Sequence, residues 1–240
     1  NCNAIIEKSS SALIVGCKNT EVPSGVTQIG ERAFDGCSGL TSITLPESVT
    51  EIGEFAFTEC SNLESIKVNE NNKVYDSREN CNAIIEKSSN TLIVGCKNTK
   101  VPSGVTKIGD GAFWNCSGLT SITIPEGVTE IGDSAFFYCS ALTSITLPKN
   151  VTRIGSEAFS CCSGLTSITL PESVTEIGQG AFYGCNGLMS IMLPESVTEI
   201  GFFAFCDCSN LESIKVDENN RVYDSRENCN AIIEKSSSAL

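Results

Sequence analysis

The chain has 240 residues, 40% of them hydrophobic, and a formal net charge of −13. That hydrophobic content excludes a disordered chain, and the acidic balance argues against nucleic acid or an anionic membrane surface as the main partner. No stretch approaches the roughly 18–20 uninterrupted apolar residues of a membrane span, and no basic segment followed by an apolar one marks a secretion signal.

An internal repeat organises everything that follows. Aligning on Ile-Gly gives Ile29, Ile52, Ile108, Ile131, Ile154, Ile177 and Ile200, at a step of 23 residues except between Ile52 and Ile108, where a further coil of 33 residues intervenes. Each regular unit reads I-G-x-x-A-F-x-x-C-x-x-L-x-S-I-x-L-P-x-x-V-T-x, shown plainly by Ile131 to Arg153. Its large apolar side chains contribute about 8–15 kcal/mol if buried, while ordering its backbone costs roughly 1–2 kcal/mol per residue. One coil alone cannot fold. Stacked coils share their apolar faces, which is the logic of a solenoid.

Within a unit, Leu142-Thr143-Ser144-Ile145-Thr146-Leu147 reads as a strand with Leu, Ile and Leu inward and the hydroxyl residues outward. Pro148 ends it, because proline has no N–H to donate to a ladder. Val-Thr-x-Ile-Gly is a second short extended piece, and Gly132 to Cys139, with its Ala-Phe pair, suits a single helical turn. Identical strands in successive coils must pair in parallel. The expected fold is therefore an α/β solenoid, with a parallel β-sheet on one face and short helical turns on the other.

Hairpin coils interrupt the array at about residues 1–28, 69–107 and 217–240, within one solenoid of residues 1–240. In the middle one, Ala83-Ile84-Ile85 and Leu92-Ile93-Val94 flank a short polar turn at Ser88-Ser89 and read as a β-hairpin. That turn sets Cys81 opposite Cys96, and Cys2 and Cys17 show the same separation in the opening coil. A disulfide at each pair and two neighbouring free thiols are both compatible with this spacing. The polar stretch around Asn69, Asn72 and Asp76, echoed by Asp217, Asn220 and Asp224, carries oxygen ligands without the ordered spacing of a calcium loop, and reads as a plain polar turn. Residues 1–13 and 228–240 are the same string, so a window of a longer array, or a unit that continues head to tail, is expected.

Seven of the 14 cysteines recur at one phase of the repeat (Cys37, Cys60, Cys116, Cys139, Cys162, Cys185 and Cys208) and read as a buried ladder of small hydrophobes. A chain without histidine cannot host a Ser-His-Asp or Cys-His arrangement, and no phosphate-binding loop is present. Glu51, Glu130, Glu176 and Glu199 recur before Ile-Gly and read as a solvated acidic stripe. No catalytic residue, cofactor or metal is expected. The outward strand face offers a binding surface: Thr120, Thr123, Thr143, Thr146, Thr166 and Thr169 form a hydroxyl carpet, broken by Met189 and Met192. Adaptable apolar side chains of that kind suit a protein partner, and a concave site built around the two methionines is the candidate.

The repeat unit, with the hairpin insert from Asn82 to Ile93, resembles the BspA-like leucine-rich repeat family over the whole chain. The resemblance implies a right-handed superhelix and a secreted or cell-surface protein that adheres to or recognises a host matrix or surface protein, with no catalytic residues to carry over. Two other roles fit the repeats: a stalk or filament of further copies stacked head to tail, and an ordered hydroxyl array that binds ice or carbohydrate.

Overall fold

A computed structural model describes residues 3–226 and 230–235. The strand of each coil forms as the alternation dictates. In the coil of Ile131, Leu142, Ile145 and Leu147 are buried while Thr143, Ser144 and Thr146 stand exposed. Ser121–Thr123, Ser144–Thr146 and Ser167–Thr169 pair in parallel, each serine on the next, because equal repeat lengths return the chain to the same phase. The second extended pieces form a second ladder, in which Lys107–Ile108, Glu130–Ile131, Arg153–Ile154, Glu176–Ile177 and Glu199–Ile200 are neighbours. The architecture is a β-solenoid.

The helical turns are absent, which corrects the α/β expectation. Among the described residues there is no α-helix, and Arg78–Asn80 form a three-residue 3-10 turn. The cause lies in two positions of every regular coil. Ser134 (φ 53°) and Tyr138 (φ 58°) adopt the left-handed backbone conformation, as do Glu157 and Cys161 in the next coil and Phe203 and Asp207 further on. Two such residues four apart interrupt any right-handed turn. The arc is bonded outward instead: Ser134, Phe136 and Tyr138 donate their N–H groups to the carbonyls of Ser156, Ala158 and Ser160 in the following coil, at 2.7, 2.7 and 2.9 Å. Helical i→i−4 bonds are exchanged for bonds between coils.

Behind this arc runs the core. Phe113, Phe136, Phe159, Phe182 and Phe205 stack face to face with centroids 5.0–5.4 Å apart, and Phe34 stacks on Phe57 in the same way. Five members of the cysteine ladder, Cys60, Cys116, Cys139, Cys162 and Cys185, are buried beside them as expected, while Cys37 and Cys208 are half-buried.

The hairpins form where the apolar runs place them. Ile84–Glu86 pairs antiparallel with Thr91–Val94, and Ile5–Glu7 with Ala12–Val15. The second strand of each hairpin then takes a place in the Ile ladder, with Leu92 beside Ile108 and Leu13 beside Ile29. The middle hairpin also divides the core: Ile84 and Cys96 pack with the coils before it, while Ile85 and Leu92 pack with those after it. Its closing glycine has a strict steric role. A Cβ on Gly95 would lie 2.1 Å from the Phe113 ring, and one on Gly16 equally close to Phe34.

Asn72 and Asn220 are wholly buried polar residues at the phase where other coils carry valine. The Asn72 amide donates to the carbonyls of Pro46 and Val49 at 2.9 and 2.8 Å. Its oxygen accepts from the N–H groups of Val74 and Tyr75 at 2.9 and 2.8 Å. Asn220 repeats all four contacts. The side-chain nitrogens thus tie each turn to the preceding coil, while the side-chain oxygens close the turn itself.

Candidate functional site

The outward face of the strands carries the candidate residues in one surface. Met189 and Met192 stand 56% and 51% exposed on one rung, because their positions point away from Leu188, Ile191 and Leu193, all of which are buried. Met192 pairs with Lys215 on the following strand. On the other side, Ser167–Thr169 and Ser190–Leu193 belong to separate sheets, joined through the Met189 N–H to the Thr166 carbonyl at 3.4 Å. The Thr166 N–H makes the same bond to the Thr143 carbonyl one coil earlier, at 3.2 Å.

The threonines divide into two sets. Thr143 and Thr166 turn their hydroxyls along the solenoid, donating to the carbonyls of Thr120 and Thr143 at 3.4 and 3.3 Å. Thr123, Thr146 and Thr169 project outward in register. Thr120 is exposed at the head of the first set. The hydroxyl carpet is thus part structure and part available surface.

Cys81 and Cys96 do not face each other directly in their hairpin. Cys17, Cys81 and Cys96 are free thiols, and Cys2 lies outside the described residues. The reason is a bulge in each hairpin. Ile85 faces Leu92, as the turn requires, but Ile84 faces Val94, so the register has slipped by one residue before it reaches the cysteines. Cys96 accordingly turns its thiol to the Asn82 carbonyl at 3.4 Å, and Cys17 meets the Asn3 carbonyl at 3.3 Å. Burial pushes the Cys81 thiol up to about 11 and raises Cys96. Cys17 is lowered by a hydrogen bond to the backbone at Asn19 and another to Thr20.

The acidic stripe is a bonded network over part of its length. Arg153 and Lys107 occupy the same phase as the glutamates. The Arg153 guanidinium reaches Glu130 at 3.0 Å, Asp133 at 2.8 Å and Glu176 at 3.2 Å. Lys107 adds Glu130 at 3.1 Å and Asp110 at 3.4 Å. Glu176 and Glu199 remain side by side without an intervening cation on the ladder. Asp76 is likewise held by Arg78, at 2.9 Å.

Sequence reasoning passed over the outer edge of the arcs. Phe55, Trp114 and Phe137 touch in succession, with centroids 5.4 and 4.4 Å apart, and Tyr138 is 5.3 Å from Phe137. Arg32 lies over the Phe55 ring at 5.5 Å. Phe202 and Phe203 are 82% and 62% exposed. The signal was present in the sequence as aromatics at phases that other coils fill with polar residues.

The sequence model of the BspA type leucine rich repeat region matches this chain in six copies, over residues 5–93, 83–212 and 129–235. No curated protein matches it. Among solved structures, a leucine rich cell surface protein from Faecalibacterium prausnitzii is 37% identical with a TM-score of 0.73, over 88% of this chain and 55% of that one. The pneumococcal vaccine antigen PcpA is 26% identical with a TM-score of 0.60, over 82% of this chain and 44% of that one. A leucine-rich repeat protein from Eubacterium ventriosum is 26% identical with a TM-score of 0.50, over 86% and 69%. The chain thus spans about half the length of the first two.

Proposed function

The chain belongs to the BspA-type leucine-rich repeat family, and from that premise we propose that it is a recognition module of a secreted or cell-surface protein, which adheres to host matrix or surface proteins. The observation that carries this reading is the Met189–Met192 rung. Two large, flexible apolar side chains lie more than half exposed on one rung of a strand face that elsewhere carries hydroxyls and, at its Glu64/Lys67 and Glu212/Lys215 rungs, charges. Solvent gains nothing from that arrangement, whereas an opposing protein surface would bury both and repack them to its own shape. Thr123, Thr146 and Thr169 supply hydrogen-bonding groups beside them. The similarity to a leucine rich cell surface protein supports the surface location, and no helix among the described residues is long and apolar enough to cross a membrane.

The test is capture from solubilised extracellular matrix on immobilised chain, comparing the natural sequence with Met189→Ser combined with Met192→Thr. Met192→Thr restores what the threonine rungs carry and Met189→Ser places a small hydroxyl where they carry threonine, so the circular-dichroism spectrum and melting temperature should hold while capture falls about tenfold, as expected for the loss of roughly 1.4 kcal/mol of contact. Equal capture by both chains would remove the strand face from the reading. Electron microscopy of the same preparation separates it from the alternative of copies stacked head to tail, which would give continuous fibres.

A further inference from the structure

We propose that a notch on the arc edge, between the coils of Ile154 and Ile200, takes the guanidinium of an arginine side chain presented by a polypeptide partner. The notch is lined by Phe137, Glu157, Gly180, Tyr183 and Phe203 and has a volume of about 310 Å³. It lies on a different edge from the strand face and does not depend on the role assigned to Met189 and Met192.

The chain itself contains the contact this site lacks. The third residue after each Ile of the Ile-Gly ladder sits at the same point of the arc in every coil. In the first coil it is Arg32, whose guanidinium carbon lies 5.5 Å from the ring centre of Phe55, the equivalent residue one coil later. Near the other end of the array, Phe203 stands where Phe55 does, and the position one coil earlier is Gly180. The aromatic platform is present and the arginine above it is missing. Gly180 is not forced by the backbone: its φ of 60° matches that of Arg32 (53°) and Glu157 (55°) at the same phase.

Chemistry around the gap fits a cation. A Cβ at Gly180 would meet the Glu157 Cγ at 3.5 Å and the Tyr183 Cβ at 3.7 Å, and Glu157, Tyr183 and Phe203 all line the notch, so an acidic residue and two aromatic ones border the vacant place. The Tyr183 hydroxyl donates to the Asp207 carboxylate at 2.5 Å, which holds the tyrosine in place. A guanidinium over Phe203 would gain a cation–π contact and an ion pair together. A planar cation suits the flat wall better than an ammonium. The chain's net charge of −13 favours the approach of a basic segment.

The experiment is an NMR titration of isotopically labelled chain with acetyl-Gly-Arg-Gly-amide and with the matching citrulline peptide, which is neutral and of the same shape. The expected result is a set of shifts at the amides of Gly180, Tyr183 and Phe203 that saturate on one curve. Affinity should drop about tenfold for citrulline. It should drop about threefold to tenfold in Phe203→Ala, whose ring is largely exposed. In Gly180→Arg, which fills the gap from within as Arg32 does, the shifts should vanish. Absence of shifts at those three amides up to roughly 10 mM peptide, or equal binding of citrulline, overturns the proposal. Shifts that persist in Gly180→Arg, scattered over acidic positions, would do the same. Should Gly180→Arg fold poorly, Phe203→Ala and the citrulline peptide decide the matter alone.

Discussion

The thiol of Cys162 lies 3.1 Å from the carbonyl oxygen of Phe136, 26 residues back in the preceding coil. The same bond recurs from Cys60 to Phe34, Cys139 to Phe113, Cys185 to Phe159 and Cys208 to Phe182. That carbonyl already accepts from the Cys139 N–H at 3.1 Å, so the thiol serves its second lone pair, while its sulfur fills a fully buried site. Cys162→Ala should therefore cost about 1–2 kcal/mol, part cavity and part unserved acceptor. Cys162→Ser keeps a donor in nearly the same place and should melt above the alanine variant. If alanine proved the more stable of the two, the ladder would be a matter of volume alone.

The same ladder fixes how stability responds to alkali. Burial pushes the thiols of Cys60 and Cys116 up to about 12 and that of Cys81 up to about 11, from an ordinary value of 9.0, and burial raises Cys139 and Cys162 well above it. In each case folding favours the neutral thiol. The contribution is complete below the unfolded value and disappears as pH climbs through the folded one. The melting temperature should thus be insensitive to these groups below about pH 8 and fall steeply between about pH 9 and 12. A series of thermal melts by circular dichroism checks this, and a flat profile across that window would show that the thiols ionise freely in the folded chain.

Asn72 sets a test in which repeat consensus and structure disagree. Val49 sits one coil earlier at the same phase, and a consensus of the coils would replace Asn72 with valine. The four hydrogen bonds of the Asn72 side chain argue the reverse, since valine would leave the Val49 carbonyl and the N–H groups of Val74 and Tyr75 without these partners and the Pro46 carbonyl with the Val49 N–H alone. Asn72→Val should destabilise by about 2–4 kcal/mol, read as a lower urea midpoint. A midpoint raised by the valine would mean that water serves those groups.

Most of the solenoid was legible because a repeat states its own register. The 23-residue step, the inward Leu, Ile and Leu, the buried cysteines and the hairpins all followed from spacing and polarity. The arc was not, because Ala135-Phe136 suits a helical turn and nothing in Ser134 or Tyr138 announces a left-handed backbone. That conformation is selected only when a second coil offers its carbonyls. The hairpin bulge is similar: counting from the turn places Cys81 opposite Cys96, and one extra residue, visible only in three dimensions, separates them. Of the candidate binding face, the exposure of Met189 and Met192 followed from alternation, while the engagement of the Thr143 and Thr166 hydroxyls depended on the coil behind them.

Gly95 is the point where a single methyl group should do the most damage. Its N–H donates to the Ala112 carbonyl at 2.7 Å, which presses the hairpin backbone flat against the Phe113 ring. Phe113 cannot withdraw, being buried and stacked on Phe136 at 5.0 Å. Gly95→Ala would place Cβ 2.1 Å from that ring, so the hairpin or the phenylalanine ladder must shift, at a cost of about 3 kcal/mol or somewhat more. Gly25→Ala is the matched control, since nothing lies within 4 Å of its Cβ, and it should be neutral or slightly stabilising. Because the core divides at this hairpin and coils in a solenoid lean chiefly on their neighbours, the loss should begin locally. Hydrogen exchange should show the amides of Gly95, Gly109 and Phe113 opening first in Gly95→Ala, while those of Ile154, Phe159 and Ile177 keep their protection. Uniform loss along the whole chain would instead mean that the array melts as one unit and that the hairpin coil is no boundary.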